Sequence, residues 1–281
     1  MWSERFKNVV RASIPRSVRN SLRSPSKSAV WLWDSARFSL GRTKTLDLSL
    51  SISIVCHPHA YRVFYAAQVA DAEQAAEFRN FISHCSSSMF LFDIGAHFGV
   101  FSLTAAHFGG KAIAVDPSPT AIRMMAIQAA LNRCSDRIQI IEAAVSDAEG
   151  GMDMLSSGVF GAGYFKVARG RSKRELTRTR SITIDQIASQ FGAPTHIKID
   201  VEGHEGAVLR GARNTLRRFS PLIFLELHNE MIRCEGGDPH STLDELKQLG
   251  YDTFVPTSGI FDSNKILEKP IARIVARRTG R

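Results

Sequence analysis

From Met89 onward the chain repeats one pattern: a short apolar run, a polar turn, then apolar residues at helical spacing. The runs are Met89–Ile94, Lys111–Val115, Arg137–Val145, His196–Asp200 and Leu222–Leu227, with a late one at Tyr251–Val255. Helical spacing covers 100–108, 119–131, 205–216 and 241–249, and Gly250 is placed to end the last of these. Short apolar runs without alternation mark strands buried on both faces. Strand alternating with helix predicts an α/β fold: a mostly parallel central sheet with helices on both faces. Ser181–Asp185 resumes order after a loosely patterned stretch, with Asp185 placed to cap a short helix.

Upstream the pattern differs. Leu46–Ile54 alternates apolar and polar residues and reads as one half-buried strand, Tyr61–Tyr65 as a second, and 70–82 as a helix. Residues 1–45 are rich in Ser and Arg. Within them Trp2, Phe6, Val9, Val10 and Ile14 line one side of a short amphipathic helix ending at Pro15. Such a helix suits a membrane surface, the body of the protein or another subunit. Ala29–Trp33 is a second apolar patch that needs cover. The expected division is a basic, partly flexible N-terminal extension (1–45), lead-in strands and helix (46–88), the main α/β domain (89–265) and a basic tail (266–281).

Composition narrows this only a little. The 281 residues are 44% hydrophobic and 22% charged, which is globular. No run is long and apolar enough for a membrane span, and the first residues lack a signal-peptide core, so a cytoplasmic location is expected. Four scattered cysteines without a Cys-x-x-Cys pair point to reduced thiols rather than zinc, and no metal ligand set is assigned. The net charge of +9 is gathered in three blocks: the N-terminus, Lys166–Arg180 and the tail. Basic blocks serve nucleic acid, anionic membranes or acidic substrates, or simply stay solvated.

Chemistry belongs at the carboxyl ends of the strands. After the first strand comes Asp93-Ile94-Gly95-Ala96-His97-Phe98-Gly99, a strand–turn–helix unit whose glycines let the backbone turn sharply and approach a ligand. Its spacing is not Gly-x-Gly-x-x-Gly, which counts against NAD or FAD. Asp-x-Gly-x-x-x-Gly is the S-adenosylmethionine variant, in which Asp93 meets the amino end of the ligand. Asp116, ending the second strand about twenty residues on, is placed for the ribose hydroxyls. After the third strand, Ala143-Ala144 leave room for adenine, and Asp147 either accepts from its amino group or belongs to a plain polar turn. The fourth and fifth ends, Asp200-Val201-Glu202-Gly203-His204-Glu205 and Glu226-Leu227-His228-Asn229-Glu230, gather acids and histidines suited to proton abstraction or to a divalent cation.

These motifs carry a family resemblance. From Leu91 to about Glu230 the chain resembles the FkbM-type methyltransferases, a branch of the class I S-adenosylmethionine-dependent methyltransferases with a Rossmann-like fold. The resemblance rests on Asp93–Ser102, Val115–Pro119, Ala143–Asp147 and Ile182–Asp185, and most of all on Ile197-Lys198-Ile199-Asp200-Val201-Glu202-Gly203-His204-Glu205. The family usually has Asn at the position of His97 and more often Glu at that of Asp116. It implies S-adenosyl-L-methionine held by Asp93, Gly95, Ala96, His97, Gly99, Asp116, Ala144 and Asp147. It also implies O-methylation of a sugar, glycan or secondary metabolite, with His204 or His228 as base and Asp200 orienting. Lys166–Arg180 is expected to arch over an acidic acceptor, through Arg169, Arg171 and Arg174. Expected partners are that hydroxyl acceptor, a membrane surface through the extension, and a second copy of the chain, but no nucleic acid. The alternatives are a nucleic-acid methyltransferase, for which no recognisable RNA-binding module is present, and a non-catalytic membrane-surface protein that retains the fold.

Overall fold

The computed structural model describes residues 25–48, 52–65, 71–156, 165–167, 176–254 and 263–278. A lead-in layer comes first: α1 (Pro25–Ser39), β1 (Lys44–Asp47), β2 (Ser53–Cys56), a helical turn over 58–65 and α2 (Ala72–His84). The alternating core opens with β3 (Phe90–Ile94), α3 (Val100–His107), β4 (Lys111–Asp116), α4 (Pro119–Leu131) and β5 (Ile138–Glu142). An insertion follows, of β6 (Ala144–Val145), β7 (Gly150–Ser156), β8 (Phe165–Val167) and β9 (Leu176–Ile182). The core then resumes with α5 (Ile184–Phe191), β10 (His196–Ile199), α6 (Glu205–Arg210), α7 (Arg213–Phe219) and β11 (Leu222–Leu227). It closes with α8 (Asn229–Cys234), α9 (Pro239–Gln248), β12 (Tyr251–Phe254), α10 (Ser263–Glu268) and β13 (Ala272–Arg278).

The main sheet has the order β12-β13-β11-β10-β3-β4-β5. β11, β10, β3, β4 and β5 are mutually parallel, and β13 runs antiparallel to both its neighbours. The chain winds outward from β3 through β4 to β5, then returns to β10 on the other side of β3. That reversal opens a crevice above the carboxyl ends of β3 and β10, where an open α/β sheet binds its ligand. Alternate strand residues feed two cores. Phe92, Ile94, Ile113, Val115, Ile197 and Ile199 pack under α5, α6, α7 and α9. Leu91, Ala112, Ala114 and Phe224 pack under α2, α3, α4 and the lead-in layer. On that second face the same alternation carries Asp93, Lys198, Glu226 and Arg273, a polar seam in the middle of the sheet.

Several local expectations give way to packing. The alternating run Leu46–Ile54 is not one strand. It contributes to both strands of a hairpin, β1 and β2 pairing Leu46 with Ile54, because period two is the same on either side of a turn. Tyr61–Tyr65 is helical rather than a strand. His57 caps the turn just before it, Pro58–Ala60, by accepting from His59 N, Pro58 holds that turn's first position, and Tyr65 turns inward to donate its hydroxyl to the Phe98 carbonyl at 2.5 Å. The third strand stops at Glu142, and Ala144–Val145 leave the main sheet to pair with β9. The cap of α5 is Thr183, in a capping box with Gln186, whereas Asp185 reaches across to the Thr215 amide and hydroxyl and caps α7.

The helix expected over 205–216 divides at Gly211, where a Cβ would stand 2.1 Å from the Ser146 carbonyl. The supposed basic tail supplies β13, between β11 and β12. Its arginines mask the buried Ile274, Val275 and Ala276 that make it a strand. The amphipathic helix proposed for Trp2–Ile14 lies outside the described residues, as do Arg169, Arg171 and Arg174. Among the described residues no helix is long and apolar enough to cross a membrane.

Candidate active site

The glycine turn is held rigidly from three sides. The amides of Gly95 and Ala96 both donate to the Val115 carbonyl, His97 N donates to Asp116 Oδ2 at 2.9 Å, and Tyr65 holds Phe98. A Cβ on Gly95, at φ +78°, would sit 1.8 Å from the Asp200 carbonyl oxygen, so only glycine lets β3 and β10 end in contact. His97 occupies the left-handed region, at φ +49°. Asn and His tolerate that conformation and β-branched residues do not. Thus His97→Asn is expected to keep the melting temperature, while His97→Val should cost about 1–2 kcal/mol. Equal melting of the two variants would mean that the turn relaxes freely.

Asp93 has a structural part as well as the contact expected of it. It is buried, and its Oδ2 accepts from both the amide (3.1 Å) and the hydroxyl (2.6 Å) of Ser102. It therefore caps α3 from within the sheet, since Gly99 has no side chain to do so. Asp116 is buried at the next strand end, accepting from His97 N and, through Oδ1, from Ser118 N at 2.8 Å. Burial pushes its carboxyl up to about 6 against the pull of those two amides. Each oxygen keeps a second lone pair for a hydroxyl.

The two histidines occupy different places. His204 Nε2 is 2.9 Å from Ser146 Oγ, on the side of Asp147. Ala144, near Ser146 in the chain, is buried. Asp147 itself accepts from Ser146 Oγ and from Arg210, whose bonds bring the carboxyl below its usual range against the opposing effect of burial. His204 and Arg210 border an open groove reaching Asp238 and Thr242, and neither Asp200 nor His228 lines it.

His228 sits in the acid cluster. Its Nδ1 is 2.8 Å from Oε1 of fully buried Glu205, which also accepts from Gly203 N. Its Nε2 lies 3.8 Å from Asp200 Oδ1 and 3.7 Å from Glu202 Oε2, beyond hydrogen-bond reach. Burial works against the imidazolium, but the bond to Glu205 and the charges of Asp200, Glu205 and Glu202 outweigh it and raise the pKa to about 9. His228 is therefore a cation at neutral pH and has no free lone pair for a proton. The Asp200 pKa is raised as well, which favours its neutral form: burial, then the Glu226 charge, hold its carboxyl well above the usual range, with Lys198 and His228 opposing. The quarter of its side chain that remains exposed tempers that rise without reversing it. Glu202, at φ +54°, is a strained non-glycine residue in the same loop.

Beneath this cluster Lys198 is 1% exposed, 3.3 Å from Glu77, 3.5 Å from Glu226 and 4.0 Å from Asp200. Arg273 bridges Glu226 at 2.7 Å and Glu77 at 3.2 Å. Asp200, Glu226 and His228 present ligand atoms within 4.8 Å of one another, a spacing that can hold a metal ion. Lys198 and Arg273 already neutralise Glu226, so the positive charge such an ion would bring is largely built in. Glu77, Lys198 and Arg273 were missed as site residues from sequence. For Lys198 and Arg273 the signal was a charge between apolar neighbours: Ile197-Lys198-Ile199 and Ala272-Arg273-Ile274.

A parallel sheet with the antiparallel strand β13 next to its edge, a glycine turn after β3 and acids ending β4 and β10 define a class I methyltransferase fold. The model of the methyltransferase FkbM domain matches residues 93–253. The chain belongs to the FkbM methyltransferase family. No curated protein matches it. Among solved structures it is similar to methyltransferase FkbM from Methylobacillus flagellatus KT, at 18% identity and TM-score 0.45, covering 71% of this chain and 46% of that one. The chain thus spans about half the length of that protein. An O-methyltransferase from Bacillus cereus in complex with SAH is 11% identical, with TM-score 0.42, covering 78% of this chain and 89% of that one. A precorrin-6y C5,15-methyltransferase from Geobacter metallireducens GS-15 is 12% identical, with TM-score 0.44, covering 74% and 90%.

Proposed function

We propose that the protein is an S-adenosylmethionine-dependent O-methyltransferase whose acceptor is a hydroxyl of a sugar, glycan or secondary metabolite. The observation that carries this reading is the contact of Gly95 with the Asp200 carbonyl, which sets the acid–histidine cluster directly beside the cofactor turn. The residues present fit the cofactor at Asp116, whose two oxygens each accept one amide and keep a second lone pair for a ribose hydroxyl. Asp147 and His204 belong to the adenine side, and Asp93 supports the turn from beneath. When bound, S-adenosylmethionine supplies an electrophilic methyl group.

The chain's own residues prepare the nucleophile. An acceptor oxygen beside His228 Nε2 fills the gap left by the two carboxylates. The Nε2 proton holds that oxygen and steadies its growing negative charge, and Glu205 fixes the ring. Asp200 takes the hydroxyl proton, a role suited to a carboxylate with a raised pKa. The base is thus Asp200 and not either histidine. Holding the acceptor oxygen in line supplies most of the acceleration.

Calorimetry with S-adenosylmethionine, followed by methyl transfer to a panel of sugars, phenols and RNA, tests this. Binding is expected, and Asp116→Ala should weaken it about 10- to 100-fold, the worth of hydrogen bonds to a charged group. Absence of binding, or methyl groups delivered to nucleic-acid bases, would overturn the proposal.

A further inference from the structure

The first described helix is apolar on the side that faces away from the protein. One side of α1 docks on the lead-in layer. Trp31 packs against the His59 ring at 4.5 Å, Phe38 against His57 at 4.5 Å, and buried Asp34 pairs with Arg62 at 3.0 Å. Ala29, Leu32, Trp33, Ala36 and Leu40 recur at helical spacing on the opposite side, and all five are exposed. Leu32 and Trp33 are each 63% exposed and Leu40 79%, the three most exposed large apolar side chains among the described residues. Solitary exposed apolar residues are ordinary, but a helical stripe of them needs a partner.

The charge around the stripe says which partner. Residues 1–44 hold ten Lys and Arg against two acids, Glu4 and Asp34, and Asp34 is spent on Arg62. The remaining residues hold 26 against 25, close to neutral. The positive charge of the chain is thus concentrated at the end that carries the apolar stripe. Arg42 and Lys44 lie exposed just past Leu40.

We infer that this face of α1 docks the protein on an anionic lipid surface. Both halves of the pattern are needed there. Leu32, Leu40 and the alanines enter the acyl boundary, Trp33 sits at the headgroup level, and the cations meet lipid phosphates. Nucleic acid would use the cations but has no place for an aliphatic stripe. A second copy would bring the same positive charge against itself. With 15 residues the helix lies in the interface plane and does not span.

The test is flotation of the full chain with vesicles of phosphatidylcholine alone, and of phosphatidylcholine mixed with phosphatidylglycerol. The comparison is with the variant L32S/W33S/L40S. The parent protein is expected to float with the anionic vesicles only, and to be released by salt. The variant should bind them at least about tenfold more weakly, from lost apolar burial, with an unchanged melting temperature. Equal binding by the variant would overturn the proposal. So would binding of RNA that the variant equally loses, or a dimer in lipid-free solution that it dissolves. A fall in melting temperature would assign the stripe to packing within the chain, and would overturn it too.

Discussion

Asp200→Asn is expected to lower kcat by about two to four orders of magnitude, the usual worth of a positioned base, with S-adenosylmethionine affinity nearly unchanged. The split follows from how the residue is placed. Its main-chain carbonyl touches the glycine turn through Gly95, and an amide side chain leaves that contact alone. Its carboxylate lies 3.8 Å from His228 Nε2, across the gap proposed for the acceptor hydroxyl.

The pH dependence sharpens the test. Activity of the parent protein should climb as Asp200 loses its proton, at a pH above the usual carboxylate range because burial and Glu226 hold the proton on. It should fall again near pH 9, where His228 gives up the proton that orients the acceptor. Asp200→Asn should remove the acidic limb of kcat, and His228→Asn the alkaline one. The stability of the parent carries a related mark. His228 has a folded pKa raised above its unfolded value, so its contribution is full below about 6.5 and is lost as pH rises through about 9. An acidic limb that survives in Asp200→Asn would place the base elsewhere.

Much of this fold is legible in the sequence because buried strands and glycine turns impose local constraints. α4 begins at Pro119 and ends at Leu131 as its spacing predicts, Asp93, Gly95 and Asp116 stand at strand ends, and Gly99 opens the helix after the turn. What the sequence hides is which neighbour each group meets. Asp93 reads as a ligand contact, and nothing local shows that Ser102 on the following helix donates to it twice. His204 and His228 look equivalent, and only the register of β10 against β11 and the break after Val145 send one to Ser146 and the other to Glu205. β13 was obscured by its arginines. In Arg273 the charge is consumed inside the fold, a pairing with Glu226 that requires β13 to lie beside β11. Local pattern therefore determines elements, while the site depends on pairings between residues far apart in the chain.

Lys198→Met should cause the largest loss of stability, about 3–5 kcal/mol near neutral pH, the cost of removing one partner from a buried ionic group. That is a large fraction of what a folded domain possesses. Lys198 is the cation shared by Glu77, Glu226 and Asp200, and its ammonium also lies 5.1 Å from the centre of the Phe101 ring. Methionine fills similar volume, so the loss reports charge and not a cavity. Burial already pushes the Glu77 pKa up, and Lys198 opposes that rise. Without Lys198, Glu77 keeps only Arg273, which it shares with Glu226, and its buried carboxyl is driven further toward the protonated form, which is easier to reach in acid. The destabilisation should therefore be smaller at pH 5.5 than at pH 8, a dependence opposite in sign to ordinary acid denaturation. Adding Glu77→Gln should recover a substantial part of the loss at pH 8 and little at pH 5.5, while the same substitution in the parent protein should do no good at either pH. Urea unfolding of the four proteins at the two pH values completes the cycle. Losses independent of pH, with no rescue by glutamine, would mean that the lysine acts by packing alone and that the polar seam beneath Asp200 is not the electrostatic support of the site.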